Sequence, residues 1–389
     1  MRIFVEGWRF VPHSFAIANQ FQLLELLRRD DVELFHRDMP YFQDYWKPES
    51  GLFSPEEEAA LNQIPAPPKD LHADATLRMF IPYILKPAAN SRRTYTFATT
   101  EWGIVQKLMV KMMRVSSFQE AHANSDTVII TPSNWSKQGL VRGGADPDRV
   151  VVVPHGVDTR TYRPLSDSER ANLRRQFGLE GTFVFLNIGI MTWNKGIRPL
   201  LKAFARVTER YPQARLILKG TDAIRKSREF VVKDIKDMLD ETESARVIPR
   251  LAYIGKNMSS AQLAKLHQAA DAYVSPYVAE GFNMPVLEAM ACGLPVICTK
   301  GGATDDFTRP EFALQIDSQL KTIEIQSETR FLLHPSLDRL TELMQWAIAH
   351  PEFGEKARQL APQFVESNLT WTHIVDRLLH IFAPTAAVT

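Results

Sequence analysis

The chain has 389 residues, 45% of them apolar, and carries 46 Lys and Arg against 45 Asp and Glu, a formal net charge of +1. That length exceeds one ordinary core and predicts about two or three domains of roughly 150 residues each, with the composition of a folded globular chain. The balanced charge excludes the strongly basic footprint of a general nucleic-acid binder, and no run approaches the ~20 consecutive apolar residues of a membrane span. The two cysteines, Cys292 and Cys298, fall within core-forming segments and read as buried reduced thiols rather than a disulfide framework or a metal site. A reducing compartment follows, and residues 1–7 have the shape of a first strand rather than a signal peptide, so the expected location is the cytoplasm.

Short apolar runs alternate with helix-period segments, which predicts an α/β fold of parallel strands joined by crossover helices. In the first half the strands are expected at 2–7, 32–38, 94–99, 127–133 and 150–153, with helices at 13–29, 104–115 and 135–142. Residues 40–87 are less regular, with Pro and aromatic clusters such as 41–46 and 64–68. A long insertion of this kind either carries function or packs on the surface against its own aromatics. The helix within 104–115 places Lys107, Lys111 and Arg114 at i, i+4 and i+7 on one face, either a plain solvated face or a contact for an anionic membrane.

A boundary is expected near Pro164, because Ser166 and Glu169 just after it have capping-box spacing. The rhythm that follows is strand 182–189, helix 196–210, strand 214–219, helix 227–240, strand region 247–255 and helix 259–270 with Ser259 at its start. Residues 370–382 have helical apolar spacing. The expected division is 1–164, 165–365 and a C-terminal helical segment 366–389.

The most informative stretch is 272–299. It reads as a strand at 272–276, a loop holding Glu280, a helix opened by Pro285 with Glu288 in its first turns, an end at Gly293 and a strand at 295–299. Gly281 and the N–H groups of the loop and helix start form a cradle suited to phosphate. Two acids beside a diphosphate repel it unless they face neutral hydroxyls, such as those of a sugar and a ribose. The plainer alternative is two polar positions around a tight helix. Lys195 follows the strand 182–189 and opens a helix, where an ammonium opposes the helix dipole. That cost favours a role in holding an anion over a merely solvated lysine.

Glu280 and Glu288 with seven residues between them, followed by 289–296 and Gly301-Gly302, resemble the signature of the retaining glycosyltransferases of the GT-B fold, the family-four or group 1 type. Residues 150–158, 187–196, 216–220 and 253–255 extend the resemblance, which covers about 126–307 well and the first hundred residues poorly. The resemblance implies two Rossmann-like domains facing each other across a cleft, with the last helix crossing back to the first. It implies metal-independent transfer of a sugar, with retention, from a nucleotide-diphosphate sugar to an acceptor hydroxyl. No cofactor is expected, and the donor is a UDP-, GDP- or ADP-sugar. By the same resemblance Glu280 holds the sugar, Glu288 the ribose and Lys195 the leaving diphosphate. Gly281, Phe282, Asn283, Met284, Gly189, Trp193 and Lys219 are the further donor-binding candidates. Glu101 is the candidate for orienting the acceptor hydroxyl, or else a carboxylate favoured by a helix dipole. Trp8 and His13, on the first strand-to-helix loop, are the acceptor-binding candidates, and 40–87 supplies acceptor loops.

Three positions depart from the family pattern. Ile190 stands where an arginine is usual, leaving Arg198 or Lys219 to supply that phosphate contact; the first loop is bulky where glycines are usual; and Asp305 replaces a glutamate in a turn that either contacts donor or is simply capped by acids. Expected partners are the donor and a glycan, lipid or small-molecule acceptor, with peripheral contact to the inner face of a membrane if the acceptor is a lipid, and no nucleic acid. A nucleotide-sugar epimerase, or a catalytically silent GT-B binding subunit, fits the same residues; donor consumption without acceptor distinguishes the first.

Overall fold

The computed structural model describes residues 1–383; residues 384–389, the end of the expected C-terminal segment, lie outside the described residues. The chain divides into two compact units. The first comprises Met1–Gly156, Glu324–Arg330 and the chain from Leu369, and the second Val157–Ile323 and Phe331–Asn368. The first break falls at Gly156, where the sequence reading put it near Pro164.

The first unit is built on six parallel strands, β1 (Arg2–Gly7), β2 (Glu33–Asp38), β3 (Ala73–Met79), β4 (Ser91–Phe97), β5 (Val128–Thr131) and β6 (Val150–Val152), in the order β2-β1-β3-β4-β5-β6. Strand order therefore reverses between β1 and β3. β3 corrects the sequence reading, which left 40–87 without a strand. It carries no apolar run, because Arg78 is buried in it, donating to Glu6 on β1 at 2.9 Å and to the carbonyls of Ile84 and Lys86. A helix, Pro55–Gln63, with a Ser54/Glu57 capping box, also lies in that stretch. The helix Trp371–Phe382 belongs to this unit: Trp371 stacks on Phe21 at 5.3 Å, and Tyr95 donates its hydroxyl proton to the Ile381 carbonyl at 2.9 Å.

The second unit repeats the plan with β7 (Phe183–Ile188), β8 (Ala214–Lys219), β9 (Leu251–Ile254), β10 (Ala272–Ser275), β11 (Val296–Thr299) and β12 (Ala313–Ile316), all parallel, in the order β12-β11-β10-β7-β8-β9. The strands read as apolar runs because helices cover both faces of such a sheet. Helix Ile197–Arg210 shows the matching pattern, inserting Leu200, Leu201, Phe204 and Val207 into a core with Phe185, Leu216 and Leu218. The expected strand region 247–255 is instead the end of a helix, Glu241–Val247, a turn at Ile248–Arg250, and the short β9. A hairpin that the sequence reading did not contain, β13 (Ser318–Ile325) and β14 (Glu328–Pro335), turns through Gln326 and Ser327, both at positive φ. Both cysteines are buried free thiols.

The N-terminal edge of β7 and β10 is fastened by Asp271. Its carboxylate accepts from Arg170 at 2.5 Å, Arg174 at 2.9 Å and the Val184 N–H at 2.8 Å, tying helix Asp167–Gln176 to the sheet. Removing the acid strands two guanidinium groups in a mostly buried place. Asp271→Ala is expected to lower the unfolding free energy by about 2–3 kcal/mol, read as a fall in urea midpoint at unchanged slope. A midpoint within error of wild type contradicts this anchoring role.

Candidate active site

Strand order in the second unit reverses between β7 and β10, and the region beyond the carboxyl ends of strands at such a reversal is the usual ligand position in parallel sheets. The loops leaving those ends are residues 189–196 and 276–283, and they are clamped together. The N–H groups of Val278 and Ala279 donate to the Asn194 carbonyl at 2.7 and 3.2 Å, and Asn194 Nδ2 donates to the Ala279 carbonyl at 3.2 Å. Gly196 allows the approach: it sits at φ 73°, and a Cβ there would lie 1.8 Å from the Pro276 carbonyl oxygen. The clamp brings Lys195 Nζ to 2.6 Å from Glu280 Oε2, joining two of the three residues expected to carry catalysis, with Glu101 the third, in one largely buried ion pair.

Beyond Glu280 the chain offers its backbone. The Gly281 N–H donates to Glu280 Oε1 at 3.3 Å, Phe282 is buried against Phe307 with ring centroids 4.8 Å apart, and Asn283, at φ 79°, donates to Ser275 Oγ at 2.9 Å. The side chains of Phe282 and Asn283 are thus engaged within the protein, and half-buried Met284 opens helix Met284–Ala291, whose first turn has Pro285 and no side-chain cap. Glu288 follows on that helix, its side chain only 14% exposed, 3.5 Å from the ring Nε2 of buried His267 and accepting from the Tyr162 hydroxyl. Tyr162 and His267 were not foreseen, since nothing local in sequence marks either as a neighbour of Glu288.

Lys219 ends β8, and its carbonyl accepts from the N–H of Gly189 at 3.0 Å, beside open space where a Gly189 side chain would be. Its ammonium is buried and bonded to the Gly220 carbonyl; desolvation lowers its pKa to about 8, against a raising influence from Asp222. Arg198, the alternative phosphate contact, is engaged by Asp234 at 2.7 Å and Asp237 at 3.1 Å, both on helix Ser227–Met238. Lys219 is therefore the cation at the strand end. Trp193 is 46% exposed on the loop after β7. Asp305 caps a turn, accepting from the Gly301 N–H at 2.8 Å. Among the described residues no group of three or more His, Cys, Asp or Glu side chains is arranged to hold a metal ion.

The remaining candidates lie in the first unit. Trp8 is corrected: it is fully buried, with Nε1 donating to the Pro40 carbonyl at 2.8 Å, so it packs the loop and presents nothing to a ligand. His13 caps helix Ser14–Leu26 by accepting from the Phe15 N–H, and its ring lies 5.2 Å from that of Trp46. Glu101 sits half-buried in the turn after β4, where its carbonyl accepts from Trp135 Nε1 at 2.9 Å. Neighbouring Trp102 lies under the Arg330 guanidinium at 5.5 Å.

Two parallel sheets, with an acid and a lysine paired at one strand reversal, define a doubly wound α/β class. Residues 169–361 match the family model for glycosyl transferases group 1, and the chain belongs to that family. It is 34% identical over 176 residues to the D-inositol 3-phosphate glycosyltransferase of Pseudarthrobacter chlorophenolicus, covering 45% of this chain and 40% of that one. It is 31% identical over 238 residues to the mannosylfructose-phosphate synthase of Agrobacterium fabrum, covering 61% and 48%. The match thus spans about half the length of these relatives or less. The fold is GT-B. Anabaena HepE in complex with UDP-glucose has a TM-score of 0.69 at 15% identity over 98% of this chain and 99% of that one. Sucrose-phosphate synthase from Thermosynechococcus elongatus has 0.68 at 17%, covering 98% of each.

The depressed pKa of Lys219 means that the unfolded chain holds its proton more tightly than the folded one. The resulting destabilisation is full below about pH 8 and fades as pH rises towards the unfolded value of 10.5. Lys219→Met is expected to be more stable than wild type at pH 7 by on the order of 2 kcal/mol, with the gain lost by pH 10.5, while binding nucleoside diphosphates more weakly. Urea titrations across pH, beside calorimetric titration with UDP, measure both; a variant less stable at pH 7 contradicts the assignment.

Proposed function

We propose that the protein transfers a sugar, with retention of anomeric configuration, from a nucleotide-diphosphate sugar to an acceptor hydroxyl. The observation that carries this reading is the Lys195–Glu280 ion pair, clamped at the strand reversal of the second unit. An arriving diphosphate competes for the Lys195 ammonium and leaves the Glu280 carboxylate to accept from sugar hydroxyls. Lys219 and the N–H groups of 281–284 supply further positive potential for charge growing on the leaving group, and Glu288 accepts from the ribose. Trp193 lines the donor side. A UDP-sugar is the first donor to try, because the structurally similar HepE is seen with UDP-glucose; GDP- and ADP-sugars follow.

The acceptor side belongs to the first unit in this reading, with Glu101 orienting the hydroxyl and His13 at the loop that recognises it. Helix Lys107–Met113 has no buried residue, and Leu108 is 63% exposed between Lys107 and Lys111. That surface supports peripheral contact with an anionic membrane and a lipid-borne acceptor. Wild type is expected to co-sediment with phosphatidylglycerol vesicles, and Leu108→Glu is expected not to; equal recovery with neutral and anionic vesicles contradicts the membrane contact.

The activity is tested by following nucleoside diphosphate release from UDP-, GDP- and ADP-glucose and -mannose, with inositol phosphate, fructose phosphate, free sugars and a membrane lipid extract as acceptors. Acceptor-dependent release is expected, with an anomeric proton coupling in the product matching that of the donor. Lys195→Ala is expected to lower kcat by roughly 10²–10³-fold. Conversion of the donor without acceptor, or full activity in Lys195→Ala, contradicts the proposal.

A further inference from the structure

Glu288 stands in an arrangement that stability alone does not explain. Its helix buries Val286, Leu287, Ala289 and Met290 completely, so an apolar residue at 288 with apolar neighbours would pack at lower cost. Instead three polar groups converge. Tyr162, 3% exposed, has its hydroxyl between Ser260, which donates to it, and Glu288, to which it donates; burial pushes its phenol pKa well above 10, so it stays a donor. His267, fully buried, brings Nε2 to 3.5 Å from Glu288 Oε2, and neither ring nitrogen has a hydrogen-bond partner of good geometry in the structure. Its ring is wedged between Tyr162 and Tyr273, centroids 6.0 and 5.6 Å away. A buried imidazole with unsatisfied nitrogens beside a carboxylate is an expense that calls for a reason.

We propose that Tyr162 and His267 are positioning residues for Glu288. The tyrosine hydroxyl and the imidazole edge occupy the inner side of the carboxylate and fix its rotation, so that its remaining lone pairs are held ready for a vicinal diol. A carboxylate oxygen accepts more than one hydrogen bond, and one already held on its inner side is aimed without loss of rotamer freedom when a ligand arrives. Tyr162 comes from the segment just after the first unit ends, and the carbonyl of Arg163 beside it accepts from Gln268 Nε2 at 2.9 Å. The positioning therefore comes from the linking segment and from helix Ser260–Ala269, not from the helix that carries Glu288. This inference rests on the reading of Glu288 as the ribose ligand.

The test is calorimetric titration of the full chain with UDP, GDP and ADP, each beside its 2′,3′-dideoxy counterpart. The quantity read is the ratio of the two dissociation constants, which general loosening of the fold does not selectively change. Wild type is expected to prefer the ribonucleotide by at least tenfold, and Glu288→Ala to lose the preference. Tyr162→Phe and His267→Gln are expected to reduce it to threefold or less while keeping affinity for the dideoxy form. Val286→Ala, a packing change on the same helix, is expected to lower Tm and leave the ratio intact. If Tyr162→Phe and His267→Gln keep the wild-type ratio while Glu288→Ala loses it, or if Val286→Ala erases it equally, the positioning role is overturned and the ribose reading stands. If wild type shows no preference, the ribose reading itself falls and the positioning role with it.

Discussion

The second unit depends on one close approach, the loop after β7 lying against the loop after β10. Asn194 holds it from both ends, with its carbonyl accepting from two N–H groups of the partner loop and its amide returning a bond. Gly196 makes it sterically possible, because a Cβ there would lie 1.8 Å from the Pro276 carbonyl oxygen, far inside van der Waals contact. Without that contact Lys195 and Glu280 would be two charged groups on separate loops. With it they form a short ion pair at the point where a parallel sheet opens to ligands.

The charges at the strand ends of the second unit include one held at a cost to stability. Lys219 is buried at a strand end, bonded to the Gly220 carbonyl, and burial lowers its pKa further than Asp222 raises it. A diphosphate reverses that cost, since the anion favours the protonated amine that burial disfavours. Arg198 shows the contrast: much nearer in sequence to the loop, it is paired with Asp234 and Asp237. In the proposed function the second unit binds the donor and acceptor chemistry falls to the first, whose loops resemble nothing in the signature.

Much of the second unit is legible in sequence because its cues are local. Pro285 opens a helix, Gly293 at φ 78° closes it, and Ser166 and Ser259 each begin one through a capping box. The family resemblance puts Glu280 and Lys195 at one donor site, although a sequence separation of 85 hides the ion pair between them. The first unit is less legible. β3 is a central strand stabilised by the Arg78–Glu6 pair, so its hydrophobic signal is diluted by a buried cation. Trp8 reads as a ligand-facing aromatic from its place on a loop, yet its indole N–H is spent on Pro40 and its ring lies inside. The hairpin of β13 and β14 turns through non-glycine residues and so lacks the usual turn cue. Tyr162 and His267 escape altogether, because their partner is more than a hundred and about twenty residues away and no local pattern points to it.

The central claim is that the clamped loops of the second unit hold a nucleotide sugar through Glu280. It is tested most directly by titrating wild type and Glu280→Gln with UDP-glucose and with UDP, then with the GDP and ADP pairs. For one base, wild type should bind the sugar conjugate more tightly than the bare diphosphate, and Glu280→Gln should bind both alike with the diphosphate affinity kept or raised. No binding by any pair at millimolar concentration, or an undiminished sugar increment in Glu280→Gln, would contradict the account.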